Sequence, residues 1–438
     1  MDKKTIKDIC VINPSKKLPI LPETEISFLP MEAVSTDGLI NLSGKIQFNK
    51  TQSYSVFQNG DVLFAKITPC MENGKGGVVH SLLNNYGAGS TEFIVLRPLP
   101  ETIISKYLYY FMQQKTFRLN CQQNMTGSAG QKRVPIKYLE RYTIPVPPLP
   151  EQERIVAKIE ELFSQLDAAV TELKSVKEKL AIYRQAVLKE AFEGKLTESW
   201  RKNNPDSNIE NILSKIIQCH AKRTRSRIYC MQEEMTLNTL PKEWKWISIG
   251  DITDGPEYGT SQKSLPAGKV PVIRMGNLQK GIIDWNDLAF TNNESDINKY
   301  RLQKGDVLFN RTNSPELVGK TSIFQGEQEA IFAGYLIRIN HYEFIDSRYL
   351  NYYMNSFVAK TYGNKVKTDG VNQSNINGQK MCSYPFPLCS EQEQKRVVDE
   401  LEERISTFDS IEQTVDTALQ QVAALRQSIL KQAFEGNL

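Results

Sequence analysis

Histidine is nearly missing from this chain: His80, His220 and His341 are the only three in 438 residues. A histidine-based triad or a zinc centre is therefore poorly supplied. The seven cysteines (Cys10, Cys70, Cys121, Cys219, Cys230, Cys382 and Cys389) form no CxxC pair, and an odd number argues against a full disulfide framework. No run of about eighteen apolar residues exists, and the opening MDKKTIKDIC lacks the apolar core of a signal peptide. A cytoplasmic protein without a membrane partner is expected. Neither a GxxxxGKS/T segment nor a glycine-rich strand-to-helix turn points to a nucleotide cofactor. An adenine methyltransferase needs Asn or Asp, two prolines and an aromatic residue around the flipped base. The nearest run, Asn13-Pro14-Ser15-Lys16, lacks the second proline and the aromatic. Asp206 and Glu210 beside Lys215 do not have the spacing of a nuclease's carboxylate-lysine centre. These absences describe a binding protein without a catalyst.

What the chain has instead is a repeat. The stretch from Pro145 to Leu196 recurs as Pro385 to Leu438, and nine of the last 13 positions, Arg184 to Leu196 against Arg426 to Leu438, are identical. The proline-rich lead-ins align at an offset of 240, which becomes 242 after Glu153 and Glu393. In the first copy, Ile155, Ile159, Leu162, Leu166, Ala169, Leu173, Val176, Leu180, Tyr183 and Val187 alternate at four and three, a heptad seam. The second seam has Val397, Leu401, Phe408, Ile411, Val415, Ala418, Val422, Leu425 and Ile429, with Arg404 interrupting it and marking where pairing should be imperfect. Either seam is too narrow to be stable alone, so two helices of about 60 Å, at 1.5 Å per residue, are expected to pair antiparallel within the chain.

The segments before the two rods are also related. GDVLFAKIT at 60–68 matches GDVLFNRTN at 305–313, and SKYLYYFM at 105–112 matches SRYLNYYM at 347–354. Each reads as a mixed α/β (α+β) unit. In the first, strands are predicted at Ile26–Leu29, Ser55–Phe57, Asp61–Ile67, Gly77–His80 and Phe93–Leu96, with a helix from Ser105 to Cys121. Residues 197–240 are polar and read as a linker, with Lys222, Arg223, Arg225 and Arg227 as a possible basic arm.

Charge is unevenly placed. Nine acids face eight bases over residues 151–196 and ten face five over 391–438, so the remainder carries +10 of a chain whose net charge is +4. That surplus suits phosphate. Polar donors cluster after each GDVLF run: Lys66, Thr68, Asn73 and Lys75 in the first unit, Asn310, Arg311, Thr312, Asn313 and Lys320 in the second. A second polar loop closes each unit: Gln131, Lys132 and Arg133 in the first, Lys365, Lys367, Asn372 and Gln373 in the second. Arginine grips guanine edges, asparagine and glutamine grip adenine, and lysine grips phosphate, so these are the candidate DNA-binding residues. No metal site is expected. A coiled-coil adaptor that binds only proteins, without DNA specificity, is the alternative.

The alternation of divergent unit and matched rod closely resembles the specificity (S) subunit of type I restriction-modification systems. The marks are PLPEQERI, AFEGKL followed by Thr197, Glu198 and Trp200-Arg201, and the paired GDVLF runs. The resemblance implies target recognition domains at 1–147 and 241–388, spacer helices at 148–196 and 389–438, and a linker at 197–240. It also implies a bipartite, asymmetric double-stranded DNA site. The implied partners are two modification (methyltransferase) subunits carrying S-adenosylmethionine for adenine-N6 methylation, and restriction subunits using ATP and Mg. This chain itself would hold no cofactor and catalyse nothing. One departure stands out: Leu438 lacks the Thr-Glu-x-Trp-Arg continuation seen after Leu196, which puts any closure of the C-terminal end onto the first domain in doubt.

Overall fold

A computed structural model describes residues 2–222, 239–371 and 373–438. The chain divides into two compact units, residues 1–175 with 415–438 and residues 176–414. Each unit contains one mixed α/β domain and parts of both long helices, Leu149–Phe192 and Glu391–Glu435. No helix among the described residues is long and apolar enough to cross a membrane.

The GDVLF run forms the central strand of each domain for the same physical reasons. Gly60 (φ 90°) and Gly305 (φ 97°) adopt the left-handed turn that only glycine takes without strain. Asp61, fully buried, accepts the backbone amide of Gln58 (2.8 Å) and two bonds from Arg97 (2.8 and 2.9 Å). Asp306 repeats the arrangement with the Gln303 amide (2.9 Å) and Arg338 (2.9 Å). The next four residues then run straight into the core.

In the first domain, Val62–Ala65 lies between Phe93–Pro98 and Gly76–Val78 in an antiparallel four-stranded sheet whose far edge is Cys10–Ile12. A second sheet runs Gly44–Gln47, Glu25–Leu29, Tyr86–Gly89, Ser55–Gln58. In the second domain, Val307–Asn310 lies between Leu336–His341 and Thr321–Ile323 in a six-stranded sheet, beside a three-stranded sheet built on Val270–Ile273. The single helix expected from Ser105 to Cys121 is two, Ser105–Met112 and Lys115–Gln123. The break at Gln113-Gln114 is sustained by Gln427 of the second long helix, which accepts the Lys115 amide (2.7 Å) and donates to the Gln113 carbonyl (3.3 Å).

The long helices cross over between halves of the sequence. In the first unit, the start of the first long helix lies against the end of the second: Ile155 and Ile159 share a core with Ile429, Leu430, Ala433 and Phe434. In the second unit, Val187, Leu188, Ala191 and Phe192 share a core with Val397, Val398 and Leu401. The pair is therefore antiparallel. Phe434 packs edge-on to Tyr107 (5.0 Å) and Phe111 (5.2 Å), and Phe192 packs the same way on Tyr349 and Tyr353 (5.2 Å each). The end of the second helix does close onto the first domain, and Arg154 donates to the Leu438 carbonyl (2.8 Å).

Two buried glutamines fasten the helix starts. Gln152 accepts the Ile104 amide (2.9 Å) and donates to the Pro147 (2.8 Å) and Thr102 (3.0 Å) carbonyls. Gln394 accepts the Asp346 amide (2.9 Å) and donates to the Cys389 carbonyl (3.1 Å). Their equivalence corrects the expected offset of 240 over the lead-in: the matching segments are Glu151-Gln152 and Glu393-Gln394, already 242 apart. Gln152→Ala would strand one buried amide and two carbonyls, at an expected cost of about 1–3 kcal/mol. Urea unfolding of Gln152→Ala and Gln394→Ala measures this, and losses under about 0.5 kcal/mol in both would refute the fastening role.

The seams differ from a simple heptad stripe. Ile155, Ile159, Leu180, Val397, Leu401 and Val415 are buried, and Leu162, Leu166, Leu173, Phe408 and Val422 are partly buried. Val176 (37% exposed) and Leu425 (48% exposed) are not, which corrects their placement in the seam, as it does for Tyr183 and Ile411. Near their ends the helices bury a second face on the globular domains, drawing in Val156, Leu188, Val398 and Leu430. Arg404 interrupts nothing: it is exposed, and Ile405 packs inward in its place.

The described part of the expected linker, residues 197–222 with 239–240, contains regular structure. Glu198–Asn203 and Glu210–Ala221 are helices, and Ile209, Ile212 and Ile216 join the second unit's core. Of the basic cluster, Lys222 follows the second of these helices, while Arg223, Arg225 and Arg227 lie outside the described residues.

Candidate nucleic-acid interface

In each domain the loop leaving the GDVLF strand meets the second polar loop in a short three-segment ladder. In the first unit Ile67 and Thr126 both bridge to Arg133. In the second, Ser374–Asn375 pairs with Thr312–Asn313 on one side and Thr368–Asp369 on the other. Ile67 corresponds to Thr312, Thr126 to Thr368 and Arg133 to Asn375, so one frame presents two sets of side chains. The two polar stretches singled out in each half of the sequence are thus neighbours in space.

In the first unit the Thr68 amide donates to the Lys132 carbonyl (3.0 Å) and the Val134 amide to the Lys66 carbonyl (2.9 Å), joining the loops. Asn73, Gln131 and Lys132 are exposed, and Lys66 is half-buried. Thr68 donates to Glu72 (2.6 Å) and Lys75 to the Met31 carbonyl (3.2 Å), so these two brace the loop. Arg133 gives two bonds to Glu92, both 2.9 Å, and this partner holds the Glu92 carboxyl below its ordinary range. Arg133 is therefore tied to the protein rather than presented freely.

In the second unit Thr312 accepts from the Asn375 side chain (2.8 Å), and Asn313 accepts the Ser314 amide (2.8 Å). Lys367 donates to the Pro315 carbonyl (3.3 Å) and lies 3.6 Å from Asp369. Lys365 and Gln373 are exposed, and Asn372 lies outside the described residues. Burial draws the half-buried Lys320 ammonium below its ordinary pKa. The Arg311 guanidinium lies over the ring of Tyr258, 5.0 Å from its centroid.

Asn310 is misplaced as a DNA reader. It is fully buried, with both side-chain amide atoms unpartnered. As the last residue of its strand it pairs with Leu336 and faces the same way as Leu308, toward the interior. The corresponding residue of the first unit is Ala65, also fully buried. Asn310→Ala should then be neutral or stabilising by about 1 kcal/mol in thermal or urea unfolding, because no hydrogen bond is lost. A loss of more than about 1 kcal/mol would reveal a buried partner for the amide.

Glu92 and Tyr258 were not legible as site residues. Glu92 precedes an apolar strand like any surface carboxylate, and Tyr258 meets Arg311 only through strand register.

The sequence matches the family described as "Type I restriction modification DNA specificity domain" over residues 1–178 and 241–421. The chain belongs to this family, and is a DNA-specificity subunit of the type I restriction-modification kind. Among relatives, the type I restriction enzyme EcoAI specificity subunit of Escherichia coli is 27% identical over 473 aligned residues, covering 95% of this chain and 79% of that one. The EcoKI specificity subunit of Escherichia coli strain K12 is 29% identical over 350 residues, covering 78% and 68%. A chain from a solved type I R-M system, from work on its assembly and conformational transition, shares the fold at TM-score 0.68, 18% identity, and 100% and 98% coverage. The HsdS subunit from Thermoanaerobacter tengcongensis does so at 0.57 and 18%, covering 100% and 97%.

Proposed function

We propose that this subunit reads a bipartite, asymmetric DNA site, each domain contacting one part through the paired loops of its three-segment ladder. The observation that carries the reading is the repetition of that ladder with different side chains. One frame with two chemistries suits two different half-sites. The long helices hold the two readers apart and fix the length of the unread spacer. Their exposed faces are the natural dock for two modification subunits, which would bring S-adenosylmethionine, while restriction subunits would bring ATP and Mg. In this reading the chain catalyses nothing and works in the cytoplasm. Adenine methylation requires the base to leave the stack, so the reader must tolerate distorted DNA.

Binding should weaken steeply with salt as basic loops release phosphate counterions. An electrophoretic shift with the modification subunits and excess genomic competitor tests the reading: a sequence-selective complex is expected, and its absence would leave a protein-binding adaptor. Deleting one heptad from both long helices should change the spacer or abolish binding, and an unchanged site would exclude the spacing role.

A further inference from the structure

Among the cations of the candidate interface, Arg311 is held differently from the rest. Tyr258 and Phe309 both pair with Ile337 across the strand Leu336–His341, so all three side chains share one face of the sheet. Arg311, two residues beyond Phe309, emerges on that face and lies on the Tyr258 ring. The ring is itself fixed, because its hydroxyl accepts the backbone amide of Gly378 (2.8 Å) at the start of the helix Gly378–Cys382. The backbone of Arg311 is pinned on both sides: its amide donates to the Tyr335 carbonyl (3.2 Å) and its carbonyl accepts the Ile376 amide (2.8 Å). Yet the guanidinium has no ion pair and no side-chain hydrogen bond among the described residues, and its Nε is buried without a partner.

The first unit offers no equivalent. The corresponding residue is Lys66, and the arginine of that ladder, Arg133, spends two bonds on Glu92. A lysine suffices to hold a phosphate from many directions. A guanidinium held over a fixed ring offers two terminal nitrogens that lie in one plane by its own geometry, and the matching target is a pair of coplanar acceptors such as guanine O6 and N7 in the major groove. The contact with the ring also reduces the rotamer freedom that binding would have to remove.

We propose that Arg311 is the residue through which the second unit requires a guanine in its half of the site, with Tyr258 as its positioning residue. This rests on the DNA-reading function given above. The test is selection from a random duplex library by the full chain co-expressed with its modification subunit, followed by filter binding on the winners. The wild type should return a two-part motif. Arg311→Ala and Arg311→Lys should both lose one guanine from one part only, with binding to the guanine-bearing duplex falling roughly 10- to 100-fold. Duplexes lacking that guanine should be bound about as well as before. The lysine variant keeps the charge and the stem, which guards against misfolding, and Tyr258→Leu should relax the same position. An unchanged motif would sink the proposal and leave DNA reading intact. So would a uniform loss over all sequences with the salt slope reduced by about one, the mark of a phosphate contact. A wild type that returns no two-part motif would instead sink the proposed reading of a bipartite site by the two domains.

Discussion

Phe434→Ala is expected to destabilise the first unit by about 3–5 kcal/mol, and Phe192→Ala the second by a similar amount. Each ring is buried between two aromatic side chains of a domain from the other half of the sequence, Tyr107 and Phe111 for Phe434, Tyr349 and Tyr353 for Phe192. Truncation leaves a cavity that two short helical segments cannot collapse into without abandoning their sheets. Hydrogen exchange on the full chain should find Phe434→Ala opening residues 105–123 and 429–435 while leaving 347–354 protected, with the reverse pattern for Phe192→Ala. If both variants loosen both units equally, the assignment of one ring to one unit is wrong.

A comparable effect is expected at Glu393, which is fully buried at the start of the second long helix. Its carboxyl accepts Thr197 Oγ1 (2.7 Å) and Trp244 Nε1 (2.8 Å), with Arg201 Nε at 3.5 Å. Arg201 also donates to the Gly194 carbonyl (3.0 Å), capping the end of the first long helix. Glu393→Ala should therefore cost about 3–5 kcal/mol, because it strands the Thr197 and Trp244 donors and leaves the buried Arg201 guanidinium only the more exposed Glu243, 3.7 Å away. Glu393→Gln, which keeps an acceptor oxygen, should cost less.

The pH dependence has a definite sign. Burial raises the Glu393 pKa above its ordinary 4.5, outweighing the opposing pull of Thr197, Trp244 and Arg201. The folded chain then holds this proton more tightly than the unfolded chain. The contribution of Glu393 is most favourable at low pH and declines as pH rises from about 4.5 through the raised value. Melting temperatures of wild type and Glu393→Gln across that range check it: the wild type should lose stability relative to the variant as pH rises, and parallel curves would refute the burial argument.

Much of this architecture was legible because it is written twice. The GDVLF runs, the tyrosine-bearing helices and the AFEG helix ends matched between halves, and the structure puts them in matching roles. The register of the lead-in was not legible, because EQEQ contains two candidate Glu-Gln pairs and only the Ile104 and Asp346 amides decide between them. The helix from Glu210 to Ala221 was hidden by its polar setting, although Ile209, Ile212 and Ile216 have helical spacing. For the candidate interface, the sequence marked both loops of each ladder but not how they brace one another. The Arg133–Glu92 and Arg311–Tyr258 contacts depend on strands that meet only after folding. Asn310 misled because a polar residue following an apolar strand was read as loop, whereas it occupies the last interior position.

The crossing of the helices between halves also bears on how such a protein can change over generations. Among the contacts that hold each domain are an aromatic pair that receives Phe434 or Phe192 and a backbone amide that meets Gln152 or Gln394. A foreign domain brought in by gene exchange would have to reproduce these contacts to be accepted. Replacing one domain while both long helices are kept is thus expected to change the target without rebuilding the scaffold.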